Sequence, residues 1–150
     1  MALRTGHVGL NVTDLDRSLA FYQVALGFRL LGESKEEDRR YAFLGIEGED
    51  DRPVLTLWQQ AHTPYDTTRA GLHHLALEVD SVEQVRAYES SLRAYGVEFA
   101  YEGVVAHREG SASGGIFFHD PDGTRLEIYA QSGTDGAPAP SATAPTCGFF

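Results

Sequence analysis

Residues 74–82 read HLALEVDSV, and residues 7–15 repeat the same design as HVGLNVTDL. His7 aligns with His74, and Leu10 aligns with Leu77. Each copy runs into a polar residue that is suited to cap the start of a helix. The repeat predicts a chain built from two equivalent halves. Any role that is given to one of these histidines therefore has to be considered for the other.

The same succession of elements is predicted after each copy. Apolar and polar residues alternate through both stretches, which indicates half-buried strands. Apolar residues at helical spacing follow, and Gly27 and Gly96 are suited to end these helices. The further strands are predicted at 28–33, 40–45 and 53–58 in the first half, and at about 97–103, 114–119 and 124–130 in the second. The predicted fold class is α+β, with two tandem βαβββ modules.

The two modules are predicted to form a single domain over residues 1–130. They cover about 5–58 and 72–130, and the segment 59–71 between them has no periodicity and enough turn residues to serve as a linker.

A tail that is rich in Pro, Gly and Ala occupies residues 131–150. This composition has too few large apolar side chains to order itself. The tail nevertheless ends in Cys147-Gly148-Phe149-Phe150. Two interpretations are open: the terminal aromatic residues dock against the body of the protein or a neighbouring subunit, or only lattice contacts order the tail.

The composition limits the possible partners and sites. The chain has 12 basic and 22 acidic side chains, for a net charge of −10, which repels phosphate backbones and anionic lipid. We therefore expect neither a nucleic acid nor a membrane as partner. Cys147 is the single cysteine, which excludes an internal disulfide and a thiolate-rich metal site. With no secretory signal pattern and no apolar run of membrane-spanning length, the expected location is the cytoplasm.

Strand alternation predicts which polar side chains share one face of each sheet. His7 and His74 are expected to point away from the helices. In the last strand of the second half Glu127 is expected on that same face, and Thr56 is its counterpart in the first half. Four pseudo-equivalent positions thus hold two histidines, one glutamate and one threonine.

Two imidazoles and one carboxylate form a ligand set for a single divalent metal ion. We expect His7, His74 and Glu127 to be the ligands of Fe(II), Mn, Ni or Zn. The alternative is that the three residues are hydrogen-bonded cleft groups without a metal. His73 is expected to face the opposite side from His74, and a shift of one residue in the strand register would exchange the two.

Further residues on the proposed site face are expected to contact a substrate. Asn11 and Glu78 share this face in the two equivalent strands and are either substrate contacts or solvated strand positions. Thr56 lies at the same site, and Trp58 and Tyr129 offer aromatic surfaces for stacking.

The chain resembles the vicinal oxygen chelate superfamily over residues 5–130. The resemblance rests on the paired His-containing strands, on the segment DLDRSLAFY at 14–22, and on FHDPDGTRLE at 118–127. It implies paired βαβββ modules whose curled mixed sheets surround a metal-containing cleft. The superfamily includes glyoxalase I, methylmalonyl-CoA epimerase, extradiol dioxygenases, fosfomycin-resistance enzymes and bleomycin-binding proteins. A shared fold decides the reaction much less firmly than it decides the architecture.

The departures from these relatives favour one reaction over the others. Glyoxalase I and the epimerase typically have a fourth ligand, Glu or Gln, at the position of Thr56, and Thr56 cannot serve as a base. The acidic balance of the chain argues against a phosphonate substrate, and bleomycin-type proteins generally lack the ligands that are retained here. We therefore place ring-cleaving oxygenation of a catechol-like substrate first, by resemblance to the extradiol dioxygenases, and this resemblance makes Fe(II) the first choice of metal.

The same resemblance assigns His107 as a catalytic acid/base, because extradiol dioxygenases have a histidine upstream of their Asp-Pro-x-Gly and ligand Glu. Phe117 stands where those enzymes have a tyrosine, and a solvated loop position for His107 is the alternative.

The other functions that stay open are a metal-free protein that sequesters an aromatic antibiotic and a glyoxalase-like lyase or isomerase. The expected partners are a small-molecule substrate or drug and a second copy of the chain in a homodimer.

Overall fold

A computed structural model describes residues 1–148 and residue 150. The chain divides into two compact units, Met1–Tyr65 and Asp66–Phe150. The boundary lies within the segment 59–71 that was expected to link the modules. The single domain over 1–130 stays a prediction. None of the helices formed by the described residues is both long and apolar enough to cross a bilayer.

The first unit contains one helical segment and one mixed sheet. Its strands are β1 (Val8–Asn11), β2 (Phe28–Glu33), β3 (Tyr41–Ile46) and β4 (Leu55–Trp58). The sheet order is β1-β4-β3-β2, with β1 parallel to β4 and the other pairs antiparallel.

The helical segment of this unit begins at the predicted cap. The Asp14 carboxylate accepts a hydrogen bond from the backbone N–H of Arg17 at 3.0 Å, and the helix α1 follows over Leu15–Ala20. It continues as a π-helical turn over Phe21–Ala25 and ends before Gly27, whose φ of 74° lies in the left-handed region. The apolar side chains of this segment and of β3 and β4 are buried together as the core of the unit, namely Leu15, Leu19, Phe21, Tyr22, Leu44, Leu55 and Leu57.

The second unit repeats this plan. Its strands are β5 (Leu75–Glu78), β6 (Val105–Ala106), β7 (Gly114–His119) and β8 (Arg125–Ala130), and the helix α2 covers Val82–Tyr95. The sheet order is β5-β8-β7-β6, with β5 parallel to β8. The strand order and the directions match those of the first unit, so the α+β fold of two equivalent modules is confirmed.

The edge of the second sheet differs from the prediction. The strand expected at 97–103 is not formed as one element. The chain pairs briefly with β7 at Phe99, leaves the sheet through Gly103 at a φ of 68°, and returns as β6. Because a left-handed glycine turns the backbone out of the extended ladder, the edge strand is interrupted in its middle.

The helix α2 begins with a capping arrangement that offers a direct test of local stability. The Ser81 hydroxyl accepts from the backbone N–H of Gln84 at 3.3 Å, and the Gln84 side chain accepts from the N–H of Asp80 at 3.1 Å. Replacing Ser81 by alanine is expected to lower the free energy of unfolding by about 1 kcal/mol. Urea denaturation of this variant beside Ser91→Ala, an exposed serine inside the same helix, separates the cap from general helix propensity. Equal stabilities for the two variants would contradict the capping role.

Candidate active site

One face of the second sheet carries the predicted site residues that belong to the second unit. Ala76 of β5 is paired with Glu127 of β8, and Glu78 is paired with Tyr129. Paired residues on adjacent strands project to the same side. Consistent with this, the Tyr129 hydroxyl donates to the Glu78 carboxylate at 2.9 Å. Burial first, and then this hydrogen bond to Glu78, raise the pKa of Tyr129 above its usual value.

Glu127 is the centre of this face and is only 2% exposed. Its Oε2 lies 3.6 Å from Nε2 of His74, and its Oε1 is in hydrogen-bond contact with Nε2 of His107. A buried carboxylate is costly unless partners satisfy it. The imidazole of His107 is such a partner within hydrogen-bond distance, and that of His74 lies beside the carboxylate from the other edge of the sheet, so the site face is organised around one carboxylate.

His74 has the properties of a neutral imidazole ligand. Burial lowers its pKa below the usual value, and the nearby charge of Glu127 acts in the opposite direction with a smaller effect. Its imidazole is therefore uncharged at neutral pH, which is the form that binds metal ions.

His107 lies against Glu127 and is thereby part of the same cluster. Its Nδ1 is 2.9 Å from the Ser113 hydroxyl, and its ring contacts those of Phe117 and Tyr129 at 6.2 and 5.4 Å between centroids. If the serine hydroxyl donates to Nδ1, the Nε2 proton of His107 points at Glu127. The catalytic role expected for His107 stays a prediction, and its position beside the carboxylate is suited to it.

The first unit carries the corresponding positions. Gly9 is paired with Thr56, and Asn11 is paired with Trp58, so Thr56 occupies the register position that Glu127 has in the second unit. This equivalence is confirmed. The Thr56 hydroxyl is buried and accepts from the indole N–H of Trp58 at 2.9 Å. His7 immediately precedes β1, as His74 immediately precedes β5.

Three aromatic rings form a shelf on this part of the first unit. The ring of Trp58 lies 5.1 Å from that of Tyr41 and 6.2 Å from that of Phe43, measured between centroids. Tyr41 pairs with Trp58, and Phe43 pairs with Thr56, so the rings share one side of the sheet. The shelf is suited to contact an apolar or aromatic part of a ligand.

The donors of the second unit fit a divalent metal ion, and they do not make a complete set. His74 and Glu127 offer one nitrogen and one oxygen, which are ligands for Fe(II), Mn, Ni or Zn. Among the residues that the structure describes, no group of three or more His, Cys, Asp or Glu side chains is arranged to hold a metal. A further ligand is required, and His7 stays the predicted one.

His73 departs from the predicted orientation. It was expected to face away from His74, but the Nδ1 atoms of the two rings are 2.8 Å apart. The prediction was wrong because alternation applies only inside a strand, and β5 begins one residue after His74.

The end of the tail also reaches this face, in agreement with one of the two interpretations of its sequence. The Phe150 ring lies 4.9 Å from the ring of Phe117 and 5.9 Å from that of His74, measured between centroids. The Arg125 guanidinium lies 5.6 Å from the centroid of the Phe150 ring. Nearby, burial first, and then the charge of Glu127, raise the pKa of the Cys147 thiol. The aromatic ending was the sequence signal for this contact, but no pattern indicated the site as its destination.

Comparison with known proteins identifies similar sequences and folds. Residues 4–128 match the profile of the Glyoxalase/Bleomycin resistance protein/Dioxygenase superfamily. Lactoylglutathione lyase of Haemophilus influenzae is 35% identical over 135 residues, which cover 85% of this chain and 93% of the relative.

Two solved structures share the architecture. A glyoxylase/bleomycin resistance protein/dioxygenase domain from Frankia sp. EAN1pec has a TM-score of 0.71 at 24% identity, covering 87% of this chain and 98% of its own. The fosfomycin resistance protein FosX of Listeria monocytogenes, solved with Mn(II) and sulfate, has a TM-score of 0.63 at 24% identity. The match covers 87% of this chain and 93% of the FosX chain. At this level of identity both likenesses concern the fold alone.

Proposed function

The chain belongs to the Glyoxalase/Bleomycin resistance protein/Dioxygenase superfamily, and we propose that within it the protein is a metal-dependent lyase of the lactoylglutathione lyase type. The observation that carries the proposal is the buried Glu127 carboxylate, which is held between two imidazoles on the site face. The relative of that name, which aligns along 85% of the chain, supports the same reaction.

This proposal replaces the ring-cleaving oxygenation that was placed first from the sequence. In the sequence, the lyase was disfavoured because Thr56 stands where glyoxalase I has its fourth metal ligand. The similarity to lactoylglutathione lyase along most of the chain outweighs one substituted position. We accordingly favour the lyase, which was one of the alternatives, over the dioxygenase.

The reaction of such a lyase is redox-neutral and needs no oxidant. In the direction of thioester formation, the hemithioacetal of a thiol and a 2-oxoaldehyde loses the proton on the carbon that carries sulfur. The neighbouring carbonyl carbon gains a proton, the hydroxyl proton passes to the neighbouring oxygen, and the sulfur-bearing carbon becomes the thioester carbonyl. A bound divalent metal supplies Lewis-acid polarisation of the two adjacent substrate oxygens.

The residues of the second unit are suited to move the proton. Glu127 is a carboxylate in a buried position, where it acts as the general base that accepts the carbon-bound proton and returns it. Nε2 of His107 is in hydrogen-bond contact with Glu127, and in the tautomer that carries the hydrogen on Nε2 it donates to the carboxylate and keeps it oriented. The base that Thr56 cannot provide is thus assigned to Glu127. We propose His74, Glu127 and His7 as the residues that hold the metal.

One observation favours a second function. The shelf of Tyr41, Phe43 and Trp58 offers a stacking surface for an aromatic drug, as a metal-free sequestering protein requires. The two functions differ in whether a metal is bound at all.

Metal titration by calorimetry tests the proposal. Chelator-treated wild-type protein is expected to bind one equivalent of Ni, Zn, Mn or anaerobic Fe(II) per chain. His74→Ala is expected to weaken binding about 100-fold or more, because groups that only support a ligand already change affinity by about 10- to 100-fold.

Thr56→Val is the matched control, since it removes a hydroxyl from the equivalent register position of the first unit without removing a proposed ligand. It is expected to keep the wild-type metal affinity. Wild-type protein that binds none of these metals would overturn the proposal, and tight binding of an aromatic drug by that protein would support sequestration.

A further inference from the structure

The rings of two consecutive histidines on the site face, His73 and His74, are joined by one hydrogen bond. The Nδ1 atoms of His73 and His74 are 2.8 Å apart, and their rings are nearly perpendicular, at 81°. In neutral imidazoles only one ring nitrogen carries a hydrogen, so one Nδ1 donates and the other accepts. The tautomer of His73 therefore determines the tautomer of His74.

Two groups of opposite character lie against Nε2 of His73. The carbonyl oxygen of Gly148 is 3.0 Å away, and Nη1 of Arg125 is 3.3 Å away. A carbonyl only accepts and a guanidinium only donates. The two contacts therefore demand opposite tautomers of His73, and a neutral ring satisfies one of them at a time. The contact to Gly148 is the shorter.

The contact to Gly148 leaves His74 ready to bind a metal. When Nε2–H of His73 donates to that carbonyl, Nδ1 of His73 is the acceptor and Nδ1 of His74 is the donor. Nε2 of His74 then has a free lone pair, 3.6 Å from the Glu127 carboxylate. A lone pair and a carboxylate at this separation favour a cation that binds both.

The contact to Arg125 has the reverse effect. When the guanidinium donates to Nε2 of His73, its Nδ1–H donates to His74. Nε2 of His74 then carries the hydrogen and donates it toward Glu127. In this state the nitrogen is not available as a metal ligand.

The Gly148 carbonyl is positioned by contacts that do not involve either histidine. We define the docking segment as Thr146–Gly148 together with Phe150. The Thr146 hydroxyl donates to the Ala106 carbonyl at 2.6 Å, its backbone N–H donates to the His107 carbonyl at 2.9 Å, and the Tyr101 hydroxyl donates to the Thr146 carbonyl at 3.2 Å. Packing of Phe150 on Phe117 adds an apolar anchor.

We propose that His73 is a positioning residue, which the docking segment holds in the tautomer that leaves Nε2 of His74 free to bind metal. The part of this inference that concerns metal affinity rests on the proposed function, whereas the coupling of the tautomers does not. Tail docking is thereby linked to the metal-binding state of His74, a residue more than 70 positions earlier in the sequence.

Nitrogen NMR of the metal-free full chain at pH 8 tests the coupling directly. Long-range ¹⁵N–¹H spectra distinguish protonated from unprotonated ring nitrogens, and His74→Ala identifies the signals of that ring. In the wild type, Nδ1 of His74 is expected to carry the hydrogen. In a chain shortened by residues 146–150, the hydrogen is expected to move to Nε2, and metal affinity to fall by about 10- to 100-fold.

Two further variants separate the coupling from a general loss of structure. Thr146→Val with Phe150→Ala loosens the docking segment at full length and is expected to shift the tautomer in the same direction. In the shortened chain, Arg125→Met removes the competing donor and is expected to restore part of the metal affinity, which a structural defect would not allow.

Three results bear on the inference. A hydrogen on Nε2 of His74 in the wild type would overturn it, as would an unchanged tautomer in both the shortened and the loosened chains. A wild type that shows the expected tautomer and its shift, but binds no metal, would support the coupling and contradict the proposed function.

Discussion

Replacement of Glu127 by glutamine is expected to lower kcat for thioester formation by about 10³-fold or more, because a positioned general base contributes about 10²- to 10⁴-fold. The amide keeps the shape of the side chain and an oxygen that accepts from His107, but it cannot take up the carbon-bound proton. Because Glu127 is also a proposed metal ligand, initial rates of thioester formation at saturating substrate are compared at saturating metal, with the metal content of each protein determined.

The matched control for this substitution lies on the same face. Glu78→Gln also removes one carboxylate that is hydrogen-bonded to a neighbour, in this case Tyr129. We expect less than about a tenfold change in kcat, since Glu78 is not assigned a proton-transfer role. Equal losses for the two variants would show that the charge of the face matters and that Glu127 is not the base.

Replacement of Gly115 by alanine is expected to reduce the free energy of unfolding by about 3 kcal/mol or more, near the upper end of overpacking effects. A Cβ at this position would lie 2.0 Å from the Ile128 carbonyl oxygen and 2.7 Å from Cα of Tyr129. Both obstacles are backbone atoms of β8, so no side-chain rotation relieves them. Separation of β7 from β8 would also displace Glu127, which is on β8.

Gly32→Ala provides the comparison for this prediction. Gly32 also lies in a strand and has no positive φ, and a Cβ added there would meet no atom within 4 Å apart from its own chain neighbours. Its replacement is expected to change stability by less than about 1 kcal/mol. Urea denaturation of both variants measures the difference, and similar midpoints would contradict the close approach of β7 and β8.

The repeat in the sequence was sufficient to predict the architecture. The alignment of His7 with His74 predicted two equivalent modules, and the structure has two sheets of the same strand order. The strand register places Thr56 and Glu127 at equivalent positions in these sheets. These features follow from a period of two residues along each strand, which a sequence displays directly.

The contacts made outside the strands were less accessible to sequence reasoning. The contact of His107 with Glu127 joins residues 20 apart and depends on how the intervening chain turns back. The pairing of His73 with His74 occurs before β5 begins, where alternation gives no guidance. The docking of Phe150 on the site depends on tertiary packing of a segment whose composition indicates disorder.

The most direct test of the central claim is the metal dependence of thioester formation from glutathione and 2-oxopropanal. Chelator-treated protein is expected to be inactive, to recover in proportion to added metal up to one equivalent per chain, and to stay inactive in the His74→Ala variant. Full turnover without metal, or no turnover in protein shown to hold one equivalent of metal, would contradict a metal-dependent lyase.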